Sequence, residues 1–176
     1  DQAAPHTVTY VQQQIEGAIP DLEAAAGKTL DLAKLREITT LSRTASQLWM
    51  EALERGQHCP TPLSAFDQFR LMAPIVEMRG ATKTVDLYQD LLTELDDRIA
   101  NGVGAVVNER KRLLWDNLPI WYELEFLAEF LGRRGIVLAV STYTSAWGEL
   151  AEMFDPDHPF ESAARTYLHP ILNRST

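Results

Sequence analysis

The stretch that most constrains the fold is residues 109–122, in which a short apolar run stops at a polar pair. The run spans residues 113–115, and Asp116 and Asn117 follow it at once. A proline-started amphipathic segment comes next, so the order predicts a strand, a polar tip and a helix. The continuous apolar run at residues 136–140 is typical of a strand covered on both faces. A strand, a helix and a strand over about thirty residues predict one parallel βαβ unit.

The residues before this unit predict a helical layer. Apolar side chains recur at steps of three and four in four segments, at residues 11–26, 32–53, 66–78 and 85–99. We expect Pro20 to kink or split the first helix, Gly27 to end it and Asp31 to cap the second. Ser64 is expected to begin the third helix, with Asp67 in a capping-box-like arrangement. Because the link between them is short, these two long helices are expected to pack as an antiparallel pair. Further helices are predicted over residues 118–131 and near residues 160–168.

The fold class predicted from these elements is α/β but predominantly helical, with an N-terminal helical layer followed by a βαβ unit of a small parallel sheet. We expect a helical region over residues 1–102 and a partial parallel α/β subdomain over residues 103–176. Two strands make a marginal sheet by themselves. Further sequence is therefore expected to supply more strands, or association to cover the open edge.

The composition limits the possible classes of function. The chain has 176 residues, enough for one domain with its own core, and a formal net charge of −9 that disfavours general nucleic-acid binding. The single cysteine, Cys59, excludes an intrachain disulfide and fits a reducing compartment, so we expect a cytoplasmic protein. No apolar run approaches a membrane span, and residues 1–6 do not resemble a signal peptide. Because the chain does not begin with Met, we expect a piece of a longer protein.

Hydroxyl groups cluster directly after the second predicted strand, where residues 141–145 read Ser-Thr-Tyr-Thr-Ser. Ligands of open α/β sheets bind beyond the carboxyl ends of strands. This cluster and the polar tip after the first strand are therefore predicted to form two neighbouring sides of one binding site. Hydroxyl and backbone N–H groups there suit thioester, carboxylate or phosphate oxygens. Ser141 is the candidate catalytic residue, and Thr142 and Tyr143 are candidates for substrate binding. The alternative is a loop that only caps the following segment.

Three residues near the first tip are further candidates for substrate binding. Asn117 suits an amide or carbonyl group of a ligand, but residues at such positions also cap helices. The indole rings of Trp115 and Trp121 are suited to line an apolar pocket. Large aromatic side chains are, however, equally typical of a protein core. Both interpretations stay open for each residue.

Two other pairs of neighbouring polar residues favour structural roles. His58 and Cys59 do not predict a catalytic dyad, because adjacent residues in an extended segment point to opposite sides. Arg110 and Arg112 come before the first predicted strand, at the end far from the polar tips. A surface ion pair with Glu109 is therefore expected there rather than a role in substrate binding. No metal-ligand set is predicted in this sequence.

Several short motifs occur in one order along nearly the whole chain. They are Pro60-Thr61-Pro62-Leu63-Ser64 with Asp67, Met72-Ala73-Pro74-Ile75, Arg79-Gly80, Glu109-Arg110 with Arg112-Leu113-Leu114-Trp115-Asp116-Asn117, Pro119 and Trp121, and Ser141-Thr142-Tyr143-Thr144 with Trp147. In these motifs the chain resembles subunits of the 2-hydroxyacyl-CoA dehydratase and benzoyl-CoA reductase family. The block that runs from Glu109 to Trp121 is the most specific, whereas the helices before it are generic.

The resemblance implies a heterodimer of related subunits that typically holds a 4Fe-4S cluster through three cysteines. It also implies an ATP-hydrolysing activator protein that delivers a low-potential electron. In dehydratases a ketyl radical then expels the 2-hydroxyl group of an acyl-CoA, and in benzoyl-CoA reductases related chemistry reduces an aromatic ring. This chain has one cysteine rather than three. The cluster ligands are therefore expected to lie mostly outside it, with no complete cluster here.

The sequence thus favours a fragment of a (R)-2-hydroxyacyl-CoA dehydratase or related aryl-CoA reductase subunit. The expected partners are an acyl-CoA substrate, a related second subunit and an ATP-dependent activator. The alternative is a non-catalytic module for subunit assembly in such a complex. A small nucleotide-binding domain is a weaker alternative, because neither a Walker loop nor a Gly-x-Gly-x-x-Gly motif is present.

Overall fold

The computed structural model describes residues 3–169. The helices are α1 (Pro5–Ala26), α2 (Leu32–Arg55), α3 (Ala65–Leu71), α4 (Ala73–Glu77), α5 (Thr82–Ala100), α6 (Leu124–Gly132), α7 (Thr142–Ser145) and α8 (Pro159–Tyr167). The strands are β1 (Lys111–Trp115) and β2 (Ile136–Ser141), and two 3-10 turns lie at Trp121–Glu123 and Ala151–Met153. The fold is therefore a predominantly helical α/β arrangement, as predicted.

Local signals set three of the helix ends where the sequence predicts them. Gly27 ends α1 with a left-handed backbone (φ 63°), a conformation that costs glycine no Cβ clash. The Asp31 carboxylate caps α2 by accepting a hydrogen bond from the Lys34 N–H at 3.0 Å. Ser64 and Asp67 form a reciprocal capping box at the start of α3. These signals act within a few residues, so the sequence predicts them without knowledge of the tertiary fold.

The predicted pairing of the first two helices is wrong. The main helical partner of α2 is α5, and α1 packs instead on α8. The buried face of α2 carries Ala45, Trp49 and Ala52, and it meets Tyr88 and Leu92 of α5 within the core. Apolar spacing reveals which face of a helix is buried but not which helix covers it. The helix α1 also continues through Pro20 rather than dividing there.

The two strands are parallel, as the βαβ prediction requires. Their register runs from Lys111 opposite Ile136 to Trp115 opposite Ser141, with an irregularity that leaves one extra residue in β2. The expectation that β2 is covered on both faces is only partly correct, because Val140 is about half exposed. Its neighbour β1 is exposed over its first four residues. Helices cover this small sheet incompletely within residues 3–169.

The predicted helix over residues 118–131 begins later than expected. Asn117 adopts a left-handed backbone (φ 73°), and a non-helical segment with a buried Pro119 follows it. A 3-10 turn at Trp121–Glu123 then leads into α6, which begins at Leu124. Proline is tolerated both in the first turn of a helix and in an irregular segment that precedes a helix. The position of Pro119 alone therefore does not locate the start of α6.

The buried side chains form three neighbouring clusters. One joins α2, α4 and α5, and another joins the end of α2 to α5 and Leu63. The third packs Phe66 and Phe69 of α3 against Leu124 of α6 and Leu138 of β2. Packing therefore crosses residue 102, and the division of the chain at that point stays a prediction. Within the described range, no helix combines the length and hydropathy needed to cross a membrane.

Candidate functional site

The carboxyl ends of β1 and β2 lie side by side and are linked by hydrogen bonds. The Asn117 N–H donates to the Thr142 hydroxyl oxygen at 3.2 Å. The same hydroxyl donates to the Asp116 carboxylate at 2.8 Å. The predicted meeting of the two tips is therefore confirmed, and it follows from the parallel pairing that puts both strand ends at one edge.

The two residues of the first tip shape a tight turn. Asn117 is exposed, and its side-chain oxygen accepts a hydrogen bond from the Leu118 N–H at 2.7 Å. Its positive φ is tolerated because asparagine adopts the left-handed region more readily than most residues. This contact belongs to the turn and is not a helix cap, because the residues after Asn117 are non-helical and α6 begins at Leu124, so the prediction that Asn117 caps a helix at Leu118 is wrong. A role in substrate binding stays a prediction.

The second tip divides into buried and accessible hydroxyl groups. Ser141 is buried and caps α7, with its oxygen accepting a hydrogen bond from the Tyr143 N–H at 3.2 Å. Thr142 is exposed, and Tyr143 is half-buried. The catalytic role predicted for Ser141 stays a prediction, while the structure places Thr142 nearer to solvent than Ser141.

A buried polar network fixes this second tip to the helices. The Thr144 hydroxyl donates to the side-chain oxygen of Gln68 in α3 at 2.8 Å, and the Thr144 carbonyl accepts from the Trp49 indole N–H of α2 at 2.9 Å. The amide of Gln68 in turn donates to the Ala139 carbonyl of β2 at 3.4 Å. These contacts join the turn at α7 to α2, α3 and β2 in the interior, so the hydroxyl-bearing turn rests on a rigid support.

Aromatic side chains form a wall beside the two tips. This aromatic wall consists of Phe66, Phe69, Trp115, Trp121 and Tyr143. Trp121 packs edge-on against Phe69 at 6.1 Å and against Tyr143 at 6.2 Å between ring centroids. Trp115 contacts Phe66 and Phe69 at 6.4 and 6.2 Å. These separations lie in the favourable range for aromatic pairs.

The aromatic wall is part core and part surface. Phe66 and Phe69 are buried, Trp115 is half-buried, and Trp121 keeps 51% of its surface exposed. Sequence reasoning finds the two tryptophans but misses both phenylalanines, which come from α3. Their spacing of three along a helix marks them as core residues, yet nothing in the sequence indicates which strand end they approach.

Comparison with known proteins identifies the family. A sequence profile described as 2-hydroxyglutaryl-CoA dehydratase, D-component, matches residues 1–175. The chain belongs to this dehydratase family. It is 30% identical over its whole length to the (R)-2-hydroxyisocaproyl-CoA dehydratase alpha subunit of Clostridioides difficile, of which it covers 44%.

Other relatives in the dehydratase family act on different compounds, as their names state. Over 80% of its length the chain is 27% identical to the (R)-2-hydroxyglutaryl-CoA dehydratase alpha subunit of Acidaminococcus fermentans, of which it covers 30%. Over 94% of its length it is 28% identical to a benzoyl-CoA reductase subunit of Thauera aromatica, of which it covers 40%. The chain thus spans less than half the length of these curated relatives.

One ion pair of this family member, with a buried carboxylate and a partly exposed arginine, lies at the opposite end of β1 from the tips. The Glu109 side chain is 5% exposed, and it accepts hydrogen bonds from Arg112 Nε at 2.5 Å and from the Thr61 N–H at 2.6 Å. Arg112 also donates to the His58 carbonyl and the Thr61 hydroxyl. The predicted pair is therefore present, but its carboxylate is buried rather than on the surface. We call these residues, with Gln57, whose carbonyl also accepts from Arg112, the loop clamp.

The electrostatics of the loop clamp favour an ionised carboxylate. Burial raises the pKa of Glu109, but hydrogen bonds from Arg112 and Thr61 outweigh it and hold that pKa below its ordinary value. The exposed Cys59 thiol lies 3.8 Å from the same carboxylate. A structural role for Cys59 stays a prediction.

The donor set of the described residues does not fit an iron–sulfur cluster. Such a cluster is typically held by four ligands, chiefly cysteine thiolates. Residues 3–169 offer one thiol, and they contain no group of three His, Cys, Asp or Glu side chains arranged to hold a metal ion. For this reason no residue of this family member is assigned as a cluster ligand.

A separate cavity of about 640 Å³ lies between α1 and α8, away from the strand ends. Its lining includes the ion pair of Asp155 with His158, which raises the pKa of the His158 imidazole. Ala3 and His169 also line it, and these are the first and last described residues. The cavity is therefore bordered by the ends of the described range and is not part of the candidate site.

Proposed function

We propose that this chain is part of a subunit of a 2-hydroxyacyl-CoA dehydratase, or of a related aryl-CoA reductase, and that its two strand ends form part of the acyl-CoA pocket. The observation that carries this proposal is the hydrogen-bonded meeting of Asn117 and Thr142 beside the half-exposed Trp121. Polar donors next to an apolar wall suit a thioester with a hydrophobic acyl group. Membership of the dehydratase family supports this choice of ligand.

Each candidate residue has a distinct role in this proposal. Tyr143 donates a hydrogen bond toward the thioester oxygen, where negative charge develops during reduction. Thr142, whose hydroxyl proton is donated to Asp116, lines the pocket and holds the two tips together. Asn117 binds an amide or carbonyl group of the ligand. Trp115 and Trp121 shield the acyl group from water, because burying a carbon chain against their rings lowers its free energy.

Ser141 acts through the turn as well as through its own hydroxyl group. Its oxygen accepts from the Tyr143 N–H, so the hydroxyl proton stays free to be donated. We keep Ser141 as the candidate catalytic residue on this ground.

The proposal includes a partner subunit and no step through a cluster on this chain. Relatives of the chain are named as alpha subunits of dehydratases and as one subunit of a benzoyl-CoA reductase, which supports assembly with a second subunit. A 4Fe-4S cluster and an ATP-dependent activator belong to the proposal only for the full-length complex, where they would supply the electron. The residues of this chain are proposed to bind and orient the substrate and to exclude water.

The test uses the full-length enzyme complex with single substitutions at the second tip. Thr142→Val keeps the shape of the side chain but removes its hydrogen bonds, and Ser141→Ala removes the buried hydroxyl. Each is expected to lower kcat by about tenfold or more. For Ser141→Ala this corresponds to the loss of one hydrogen bond of about 1.4 kcal/mol in the transition state, and for Thr142→Val it follows from the loss of the bonds that hold the two tips together. The visible spectrum of the complex is expected to stay unchanged.

A matched control separates this effect from a general loss of stability. Thr93 lies exposed on α5, and its hydroxyl donates only to the Gln89 carbonyl one turn earlier. Thr93→Val is therefore expected to leave kcat unaltered. Wild-type kinetics in Thr142→Val would remove Thr142 from the site, and wild-type kinetics in Ser141→Ala would do the same for Ser141.

A second candidate function is a non-catalytic assembly module, favoured by exposed apolar residues on α1. Tyr10 and Leu22 are both more than 60% exposed on this helix. In that case Leu22→Asp would weaken association with the second subunit in sedimentation velocity experiments, and the tip variants would keep full turnover per assembled complex.

A further inference from the structure

Gln68 is a buried polar side chain that reaches from α3 to both sides of the second tip. It is 1% exposed. Its side-chain oxygen accepts a hydrogen bond from the Thr144 hydroxyl at 2.8 Å, and its amide donates to the Ala139 carbonyl at 3.4 Å. Ala139 comes shortly before Ser141 in the chain, and Thr144 comes shortly after it. One side chain therefore holds the backbone on both sides of the hydroxyl-bearing turn.

The contact with Ala139 falls on the irregularity in the sheet. Leu138 and Val140 each have a Cα partner in β1, but Ala139 between them has none. An extra residue of this kind bends a strand and re-aims the side chains that follow it. The Ala139 carbonyl faces the helices, where Gln68 supplies its donor. The bend that aims Ser141 is thus stabilised by a side chain from α3.

The helix α3 carries two rings of the aromatic wall as well as this polar support. Phe66 and Phe69 belong to the same short helix as Gln68. Phe69 packs on Trp121, which in turn contacts Tyr143 of the turn. Aromatic contacts tolerate small shifts, whereas a buried hydrogen bond requires its partners at a defined distance and angle. Gln68 therefore fixes where the hydroxyl groups stand relative to the rings.

We propose that Gln68 is a positioning residue of the acyl-CoA site, an inference that rests on the proposed function of the two strand ends. Gln68 does not touch the substrate, because it is buried and both of its polar groups bond to protein. It acts by holding the turn of Ser141 and Tyr143 at a set position beside the aromatic wall. A hydroxyl group displaced by about 1 Å loses most of its stabilisation of the developing charge, and such a displacement costs up to about 100-fold in rate.

The first test measures kcat and KM separately in the full-length complex. Gln68→Met keeps the length of the side chain but removes both hydrogen bonds. We expect kcat to fall by about tenfold or more and KM to stay within about threefold of wild type, because the aromatic wall that binds the acyl group is retained. Thr144→Val breaks the same contact from the turn, keeps the shape of its side chain and is expected to lower kcat in the same way. Wild-type kcat in either variant overturns the proposal, so the test holds even if one of them does not fold.

A double-mutant cycle separates positioning from a general loss of stability. If Gln68 acts through the turn, its replacement costs less once the Ser141 hydroxyl is absent. The fall in kcat caused by Gln68→Met is therefore expected to be smaller by about threefold or more in a Ser141→Ala background than in wild type. An equal fall in both backgrounds contradicts the proposal.

The matched control removes a buried hydrogen bond elsewhere. Thr84 is 1% exposed at the start of α5, and its hydroxyl donates to the Met78 carbonyl at 2.9 Å. Thr84→Val is expected to lower the midpoint of urea denaturation, as Gln68→Met does, but to leave kcat unaltered. A fall in kcat as large as that of Gln68→Met would overturn the assignment.

The outcomes also distinguish this inference from the proposed function. Wild-type kinetics in Gln68→Met together with slow turnover in Ser141→Ala would remove only the positioning role. Wild-type kinetics in both variants and in Thr142→Val would remove the site at the strand ends as well.

Discussion

The loop clamp provides a sharp test of how this chain is stabilised. Replacing Glu109 with glutamine keeps the shape of the side chain but removes its charge. The amide keeps one oxygen acceptor, and its NH2 group then faces the N–H donors of Arg112 or Thr61. At least one charge-assisted hydrogen bond is therefore lost and one donor is left without its acceptor.

The expected loss of stability follows from these contacts. A hydrogen bond to a charged group contributes about 1.5–3 kcal/mol, and breaking a fully buried ion pair costs about 3–5 kcal/mol. Arg112 is 34% exposed and keeps its bonds to backbone carbonyls, which places the loss below the upper figure. We expect Glu109→Gln to lower the free energy of unfolding by about 2–4 kcal/mol at neutral pH.

The effect also depends on pH with a defined sign. The pKa of Glu109 is depressed in the folded state, so its contribution is fully present above the unfolded-state pKa and is lost as pH falls through the folded-state pKa. The difference between wild type and Glu109→Gln is therefore expected to be largest above about pH 5 and to shrink as the medium becomes more acidic.

Urea denaturation followed by tryptophan fluorescence at pH 7 and at pH 4 measures both effects. The matched control is Glu94→Gln, because Glu94 forms an exposed i,i+4 pair with Arg98 on α5. Exposed pairs contribute about 0–1 kcal/mol, so this variant is expected to stay close to wild type. A Glu109→Gln variant no less stable than Glu94→Gln at pH 7 would refute the role assigned to the loop clamp.

Three further substitutions test other contacts by the same denaturation assay. Trp49→Phe removes the indole donor to the Thr144 carbonyl and is expected to cost about 1–3 kcal/mol, whereas an unchanged midpoint would contradict a buried bond there. Asp31→Ala removes the cap of α2 and is expected to cost about 1 kcal/mol, and a loss of helical circular dichroism would accompany it. Gly135→Ala places a Cβ atom 2.5 Å from the Asn108 carbonyl oxygen at a residue whose φ is 69°. We therefore expect this variant to lose more than about 1 kcal/mol of unfolding free energy, and wild-type stability would argue against this backbone geometry.

The features that the sequence predicts correctly are those with local causes. The caps at Asp31 and Ser64 depend on side chains within three residues of the N–H groups they satisfy. The parallel strands follow from apolar runs separated by one helix, and the meeting of Asn117 and Thr142 follows from that pairing. In each case the information lies within a short stretch of chain.

The features that sequence reasoning misses involve distant partners. Phe69 reaches Trp121 across more than fifty positions, and the Thr61 N–H meets Glu109 across 48. The predicted partner of α2 is wrong for the same reason, because several helices carry similar apolar faces. The late start of α6 is a different case, since the left-handed backbone at Asn117 moves the boundary while leaving the helix itself in place.

The tryptophans are buried to different extents, so their fluorescence can report on the surface beside the strand ends separately from the interior. Trp49 is fully buried, whereas Trp121 is half open to water beside the strand ends. A collisional quencher such as acrylamide therefore reaches Trp121 far more readily than Trp49. A molecule that settles against the aromatic wall would shield the accessible fluorophore and leave the interior one untouched, so the fraction of emission protected from quenching would measure occupancy without any label.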